Sequence, residues 1–229
     1  MPDTSNTTAR VSQRGSEIPD GASHAALRIG AILNRIVSVF ARHWLLAINT
    51  VIAVTVALPI VAPVLMVTGH HSTARLIYTL FQPFCHQLPE RSFFLFGPQL
   101  TYSLQELKRM TGADVPLRYV GNSALGYKVA ICQRDVAMYT AMLLAGLAFP
   151  LVRHRLRPLP VKVFALLCLP MAFDGFGQLL MLWQSTWWSR IISGAVFGMA
   201  CVWLAYPYVE AGMNDVRQVM ERQRAPETL

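Results

Sequence analysis

WLLAINTVIAVTVALPIVAPVLMVT, residues 44–68, is the stretch that decides the fold, since it runs for 25 residues without a charged side chain. About 20 helical residues cross the roughly 30 Å of hydrocarbon in a bilayer, so this stretch can span a membrane. Three more apolar runs follow, at 129–152, 161–183 and 191–209. The sequence therefore predicts an all-α, polytopic membrane helix bundle with about four transmembrane helices.

Composition agrees with this prediction. Of 229 residues, 54% are hydrophobic and only 14% are charged, which is too apolar for an ordinary soluble domain. The net charge of +8 is spread between the apolar runs, as topology signals are, and no nucleic-acid-binding motif accompanies it. We therefore expect the lipid bilayer, and not a nucleic acid, as the partner. No cleavable signal peptide is evident, because the first apolar run is too long for one.

The distribution of Lys and Arg predicts the orientation. With the amino terminus in the cytoplasm, twelve basic residues fall inside and eight outside. The dense basic loop 153–157 then lies inside, as the positive-inside rule requires. We expect a multi-pass protein of the plasma or inner membrane with both termini cytoplasmic. A weaker run at 76–84 is too short to span and is interpreted as a half-helix or interfacial segment.

The remaining segments flank the bundle. Residues 1–24 are expected to be disordered, 25–43 to form a basic amphipathic helix, 44–209 to form the bundle, and 210–229 to form a cytoplasmic tail. In the amphipathic helix, arginines recur every seven residues on one face and apolar side chains occupy another. It either lies on the anionic inner leaflet or extends the first span into water.

Residues 98–128 form the largest non-apolar insertion, which we expect on the outer side. Tyr102, Leu104, Leu107 and Met110 recur at near-helical spacing, and Gly112 follows as a stop signal. The pattern predicts a short surface helix that either caps the outer site or serves only as a connector.

Reactive and polar side chains occur where a lipid-facing sequence should have none. They lie in the segments 85–92 and 131–135, in the third apolar run and at the start of the fourth. Such side chains in hydrocarbon are costly and tend to mark function. The predicted topology brings them to a similar depth near the outer face. The candidate site residues are Cys85, His86, Cys132, Arg134, Asp135, Asp174, Gln178 and Arg190.

Several roles are open for the two outer cysteines. Cys85 and Cys132 could form a structural disulfide, closing a loop of about 48 residues worth roughly 4 kcal/mol. They could instead be a redox-active thiol pair, bind a metal together with His86 and with or without an Asp, or stay unpaired. Two Cys and one His suit Zn, Cu or Fe, although no Cys-x-x-Cys spacing is present, and the sequence identifies no cofactor.

Other polar and small residues have alternative interpretations as well. Asp174 requires a partner, for which Arg134 and Arg190 are the candidates. That pair would either lock the bundle or serve proton transfer or anion binding. Gly194 and Gly198 form a small-x-x-x-small face that predicts close helix packing.

The combined motifs resemble a known family. These motifs are Cys85-His86-Gln87-x-Pro89-x-Arg91-Ser92, Cys132-x-Arg134-Asp135 with Tyr139, Asp174-Gly175-x-x-Gln178, and Arg190-x-x-x-Gly194-x-x-x-Gly198. They are similar to a bacterial and archaeal family of small integral membrane proteins catalogued as domain of unknown function 2085. The resemblance covers about Leu76–Tyr206. It implies a compact helical membrane domain with these residues as its signature, and it implies no activity. The insertion 98–128 and the basic amino-terminal arm depart from the family pattern.

Two hypotheses for function follow, and whether the protein is an enzyme stays open. In the first, it is a membrane-embedded catalyst or redox protein with an outer-facing site, where the thiols or a metal react, Asp135 and Asp174 carry protons, and the arginines hold anions. In the second, it is a non-catalytic accessory subunit of a larger membrane complex, and the polar cluster only holds the helices together. A small transporter is a weaker third hypothesis, because four spans without a repeat leave little room for alternating access.

Overall fold

The computed structural model describes residues 20–180, 182–183 and 185–224. The expected disorder of residues 1–24 falls almost wholly outside this range. The helices are α1 Asp20–Val67, α2 His71–Phe81, α3 Leu104–Thr111, α4 Gln133–Val152, α5 Val161–Leu179 and α6 Trp187–Arg224. The strands are β1 Ser92–Leu95, β2 Gly121–Asn122 and β3 Gly126–Cys132.

Four of the helices are long and apolar enough to cross a membrane. Their candidate spans are 28–67 in α1, 133–152 in α4, 161–178 in α5 and 187–222 in α6. The predicted membrane helix bundle with four spans is therefore confirmed. The short run at 76–84 is also helical in part, as α2, which ends at Phe81 before the first cysteine.

The start of the second span requires a correction. Residues 129–132 were assigned to the span, but they form the end of strand β3, and the helix begins only at Gln133. The segment contains the β-branched residues Val129 and Ile131 and is buried on both faces of a small sheet. Its hydropathy therefore resembles that of a transmembrane helix. Hydropathy alone does not separate these two structures.

The sheet was not predicted from the sequence. Its three antiparallel strands have the order β1-β3-β2, and Ser92 pairs with Cys132. Gly126 turns into β3 with a φ of 82°, which favours glycine. At Gly97, a Cβ would lie 2.0 Å from the Leu125 carbonyl oxygen, so only glycine allows this close approach.

Helix α3 confirms the predicted helix in the insertion. Ser103 and Glu106 form a capping box at its start, and Gly112 ends it in the left-handed conformation with a φ of 67°. Leu107 is fully buried and packs with Phe94 of β1 and Tyr102 in a small apolar core. The insertion is therefore a folded cap that packs on the sheet.

Helix α1 continues through the residues assigned to the amphipathic segment. It has a kink at His43, where φ is −116° and ψ is 15°. Before the kink, the apolar stripe of Ile29, Ile32, Leu33, Ile36 and Phe40 is 46–59% exposed. This stripe has no protein partner among the described residues.

Helix α4 packs against both α1 and α6, and its contact with α6 is the most extensive in the bundle. A Cβ at Gly194 or Gly198 of α6 would lie 2.5 and 2.3 Å from backbone oxygens of α4, so the small-residue face packs within the chain. We define the sheet end of the bundle as the end that carries β1–β3 and the first turns of α4 and α6. The opposite, terminal end is held by edge-to-face contacts among Trp44, Phe149 and Tyr206.

Candidate functional site

The junction between β3 and α4 positions most of the predicted site. Successive side chains at the start of a helix point in different directions, so consecutive residues reach different neighbours. Cys132 and Asp135 contact each other on one side of α4, whereas Gln133 and Arg134 make their contacts on the other. The result is two neighbouring clusters at the sheet end, which share one short stretch of chain.

The first cluster, which we call the thiol cluster, contains Cys85, Cys132 and Asp135. Their Sγ and carboxylate oxygen atoms all lie within 4.8 Å of one another. The Cys132 thiol donates a hydrogen bond to Asp135 Oδ2 at 3.0 Å, and the Cys132 backbone N–H donates to Cys85 Sγ at 3.2 Å. Both cysteines are free thiols. Asp135 lies in the first turn of α4, where the helix dipole favours a negative charge.

The turn after α2 brings Cys85 to this position. Gln87 has a φ of 55°, a left-handed conformation that few non-glycine residues adopt. Its buried side chain donates from Nε2 to the Tyr78 carbonyl at 2.7 Å, which anchors the turn to α2. Buried Cys85 then packs with Val129 and Ile131 of β3.

Lys128 is a charged neighbour of the thiol cluster that the sequence interpretation missed. It is fully buried, and Nζ donates to the backbone oxygen of Gln87. No carboxylate of the described residues lies within 4.0 Å of it. Burial lowers the pKa of Lys128 to about 8, although Cys85 and Glu90 oppose the shift. A lysine directly before Val129-Ala130-Ile131 was an available signal, but it was counted only as a topology charge.

The two thiols have opposite pKa shifts. The neighbouring Cys132 side chain lowers the pKa of the Cys85 thiol below its ordinary value, against the effect of burial. The contact with Cys85, together with burial and the charge of Asp135, raises the pKa of Cys132. Cys85 is therefore the thiol that ionises first, while Cys132 keeps its proton.

The second cluster, the arginine cluster, surrounds Asp174 between α4, α5 and α6. Arg134 makes an ion pair with Asp174, and both side chains are largely buried. Ser189 Oγ donates to Asp174 Oδ1 at 3.2 Å, and Gln178 Nε2 donates to Oδ2 at 3.5 Å. Of the two partners considered for Asp174, the structure therefore selects Arg134.

Arg190 belongs to the arginine cluster but contacts neutral groups. It donates from Nε to Ser185 Oγ at 3.0 Å, and from Nη1 to Gln133 Oε1 at 3.1 Å and the Glu90 carbonyl at 3.3 Å. Gln133 in turn donates to the Ser92 carbonyl at 3.1 Å, which ties α6 to β1 through α4. Arg190 lines a polar cavity of about 740 Å³ together with Arg91, Gln178 and Trp183, among others. Gln133 and Ser185 were not singled out from the sequence.

His86 lies apart from the expected metal ligands. Its side chain is exposed, and it does not belong to the group of side chains close enough to share an ion. Asp135 completes that group in place of His86. Two thiolates and one carboxylate oxygen are a donor set that Zn²⁺ accepts, with a fourth position left for water or substrate.

Comparisons with known proteins confirm the resemblance. The model of a family described as predicted membrane protein (DUF2085) matches residues 123–204. This range holds the whole arginine cluster around Asp174, as well as Cys132 and Asp135, but not Cys85. An uncharacterised protein of Methanocaldococcus jannaschii, MJ1492, is 28% identical over 133 residues, or 57% of this chain and 67% of the relative. No solved structure matches the chain.

Proposed function

We propose that this protein, which is similar to an uncharacterised membrane family, is a membrane-embedded thiol–disulfide redox protein. Cys85 and Cys132 would alternate between the dithiol and the disulfide at the sheet end of the bundle. The observation that carries the proposal is the thiol cluster itself: two free thiols and a carboxylate with reactive atoms within 4.8 Å of one another. Cys85, which is distant in sequence, is thus brought beside Cys132 at the start of α4.

The hydrogen bonds support a division of roles. Cys85, whose pKa is lowered by Cys132, serves as the attacking thiolate. It attacks one sulfur of a partner disulfide, forming a mixed disulfide and releasing the other partner sulfur as a thiolate. Cys132 then gives its proton to Asp135 and attacks Cys85 Sγ, which releases the second partner thiolate. The protein dithiol is oxidised by two electrons and the partner disulfide is reduced by two.

The charge of buried Lys128 supports the thiolate role of Cys85. An ammonium group near a thiolate favours the ionised sulfur, and Cys85 reciprocally raises the affinity of Lys128 for its proton. With the pKa of Lys128 near 8, this cation is present at neutral pH and is lost in moderately alkaline solution.

The location that we propose is the cell membrane, with the sheet end on the non-cytoplasmic side. The excess of basic residues at the terminal end supports this orientation. Disulfides form and persist outside the cytoplasm, so a dithiol at that face meets oxidised partners. Both termini would then be cytoplasmic.

A thiol-trapping experiment tests the redox function. Cys168→Ser/Cys201→Ser protein, which keeps only Cys85 and Cys132, is reduced and purified in detergent, then treated with the water-soluble oxidant diamide. Trapping with a maleimide polymer counts the free thiols before and after oxidation. We expect two thiols to be lost together and regained with reductant, whereas Cys85→Ser or Cys132→Ser in the same background forms no intramolecular disulfide. A pair that never forms a disulfide would reject the proposal.

Metal binding is the second candidate function, and the three convergent ligand atoms favour it. Elemental analysis of protein purified without chelator distinguishes a metal centre from a redox thiol pair. One Zn²⁺ per chain, lost in Cys132→Ser and accompanied by resistance of Cys85 to alkylation, would favour a metal centre. A permanent disulfide that resists reductant, with other subunits copurifying, would instead favour an accessory subunit.

A further inference from the structure

A groove in the membrane-facing surface ends beside the thiol cluster. It has a volume of about 430 Å³ and lies between α1, α2 and α4 at the sheet end. Leu58, Phe81 and Phe84 contribute to its apolar lining, and Asp135 and Tyr139 line its α4 side. The Asp135 carboxylate, which accepts the hydrogen bond of the Cys132 thiol, is therefore part of the groove wall.

The groove opens toward hydrocarbon. Its α1 and α4 walls belong to candidate membrane spans, and the rim side chains Val51, Leu80 and Phe84 are 67%, 55% and 76% exposed. A ligand would therefore enter laterally from the lipid. That route selects an apolar or amphiphilic molecule over a water-soluble one.

In the part of the chain that the structure describes, two of the polar side chains that line the groove already have hydrogen-bond partners, and a third does not. Thr55 Oγ1 already donates to the Val51 carbonyl at 2.9 Å, and Asp135 accepts from Cys132 at 3.0 Å. Tyr139, one turn after Asp135, has no hydrogen-bond partner for its hydroxyl among the described residues. An unpaired phenol facing hydrocarbon is costly, so an oxygen acceptor on a ligand would stabilise the occupied groove.

We propose that this groove binds a quinone, which oxidises the thiol pair. The inference rests on the proposed redox function and names a second electron acceptor besides a partner disulfide. Once the quinone has formed the Cys85–Cys132 disulfide, the reverse of the exchange described above reduces it with a partner dithiol, which leaves as a disulfide. A quinone reaches the groove through lipid, accepts two electrons, and carries carbonyl oxygens that can accept a hydrogen bond from Tyr139. A lipid acyl chain would fill the apolar part, but it would leave the hydroxyl unpaired and could not accept electrons.

The reaction balances with the quinone as the only oxidant. Cys85 and Cys132 together lose two electrons and two protons as the S–S bond forms. The quinone gains the two electrons and two protons and leaves as the hydroquinone. Asp135 takes the proton of Cys132 and lies in the wall of the groove, so it can pass this proton toward the bound ring. When Cys85 is already a thiolate, the second proton comes from solvent.

The test uses the Cys168→Ser/Cys201→Ser protein, reduced and kept free of oxygen in detergent. A benzoquinone with a decyl tail is added, and its reduction is followed by absorbance while remaining thiols are trapped. We expect one quinone to be reduced for each thiol pair lost. Diamide oxidation of the same sample reports on the thiol pair independently of the groove. The thermal unfolding midpoint of each variant, compared with that of the parent, shows whether the variant is folded.

Two groove variants and a matched control test whether the quinone reacts in this groove. Leu58→Trp fills the groove and should slow quinone reduction by about tenfold or more. Tyr139→Phe, a gentler change, should raise the quinone concentration that gives the half-maximal rate by about fivefold, through loss of one hydrogen bond. Leu166→Trp places the same bulk in a separate apolar surface on α5 and should leave the rate unchanged. All three should react with diamide as the parent does.

The outcomes separate the two proposals. Oxidation by diamide without any reduction of the quinone overturns the quinone inference and leaves the redox function standing. Failure of both oxidants rejects the redox function itself. Equal quinone rates in the parent, Leu58→Trp and Tyr139→Phe overturn the groove assignment, since the reaction would then proceed elsewhere and the groove would hold acyl chains only.

Discussion

Cys132 and the two residues that follow it join the two clusters. The Cys132 backbone N–H reaches Cys85 Sγ, its thiol reaches Asp135, and the next two residues of the chain reach Arg190 and Asp174. The residue also marks the change from strand to helix, where an N–H has no partner within the helix. A sulfur acceptor satisfies that N–H here, so the local backbone geometry and the thiol chemistry depend on each other.

Replacing Cys132 tests the cause of the Cys85 pKa shift. Cys132→Ala removes the side-chain sulfur beside Cys85 but keeps the backbone N–H that donates to Cys85 Sγ. The pKa of Cys85 should therefore rise toward or above its ordinary value, because burial continues to raise it. The thiolate fraction at pH 7 then falls, and alkylation by a small maleimide should slow by about tenfold for each unit of upward shift. Rates measured between pH 6 and 10 on the Cys168→Ser/Cys201→Ser background check this. An unchanged pH profile would show that Cys132 does not activate Cys85.

The lowered pKa of Lys128 predicts that the folded protein becomes more stable as the pH rises. The pKa of its ammonium is about 8 in the folded protein, well below the value of an unfolded lysine, so between these values the unfolded chain binds more protons. The free energy of unfolding should therefore increase as pH rises through this window, by about 3 kcal/mol in total. In Lys128→Met the increase should disappear. Thermal unfolding midpoints from pH 7 to 10.5 provide the comparison, and parallel slopes for both proteins would contradict the prediction.

Helix α4 is the element on which the bundle depends, because it packs against α6 at the distance of backbone contact. Gly194 and Gly198 allow this approach, and the Arg134–Asp174 ion pair joins α4 to α5 at the sheet end. Removal of one partner from a buried ion pair leaves the other charge uncompensated, so these two residues are expected to require each other. The glycine face thus brings α6 close to α4, and the ion pair holds α5 to α4.

A pair of alanine substitutions in one helix tests the close packing. At Gly198 a Cβ would lie 2.3 Å from the Met138 carbonyl oxygen, whereas at Gly212, further along α6, it would meet nothing within 4 Å. Gly198→Ala should destabilise the protein by about 1–3 kcal/mol through overpacking. Gly212→Ala should be neutral or stabilise by about 0.5–1 kcal/mol, since alanine favours helix. Unfolding midpoints in one detergent give the comparison, and equal effects at both sites would reject the packing argument.

At the scale of the whole molecule, local and non-local features differ in how well the sequence predicts them. The four spans follow from local hydropathy, and the convergence of Cys85, Cys132, Asp174 and Arg190 at one end follows from counting charges between them. The sheet was missed because β1 and β3 pair across the long insertion, and no local pattern encodes that pairing. Lys128 has a local signal in the apolar residues that follow it, but its burial depends on this sheet.

The proposed orientation predicts which loops are accessible from outside. Leu117, which is 76% exposed at the sheet end, and Arg155, in the basic loop after α4, should lie on opposite sides of the membrane. Single substitutions Leu117→Cys and Arg155→Cys are labelled in intact cells with a maleimide that cannot cross membranes. We expect labelling of Leu117→Cys in intact cells and of Arg155→Cys only after permeabilisation. The reverse pattern would invert the orientation and place the thiols in the cytoplasm.

The length of α1 has a mechanical consequence for the surrounding bilayer. Its 48 residues measure about 72 Å as a helix, more than twice the hydrocarbon thickness of about 30 Å, so about half of it must lie outside the hydrocarbon. If the helix bends at the His43 kink and its first half lies down among the headgroups, the protein occupies more area in one leaflet than in the other. A protein of this shape favours curved membranes in which the leaflet holding the first half of α1 is the convex one. It should then concentrate in small vesicles, which are strongly curved, over large ones.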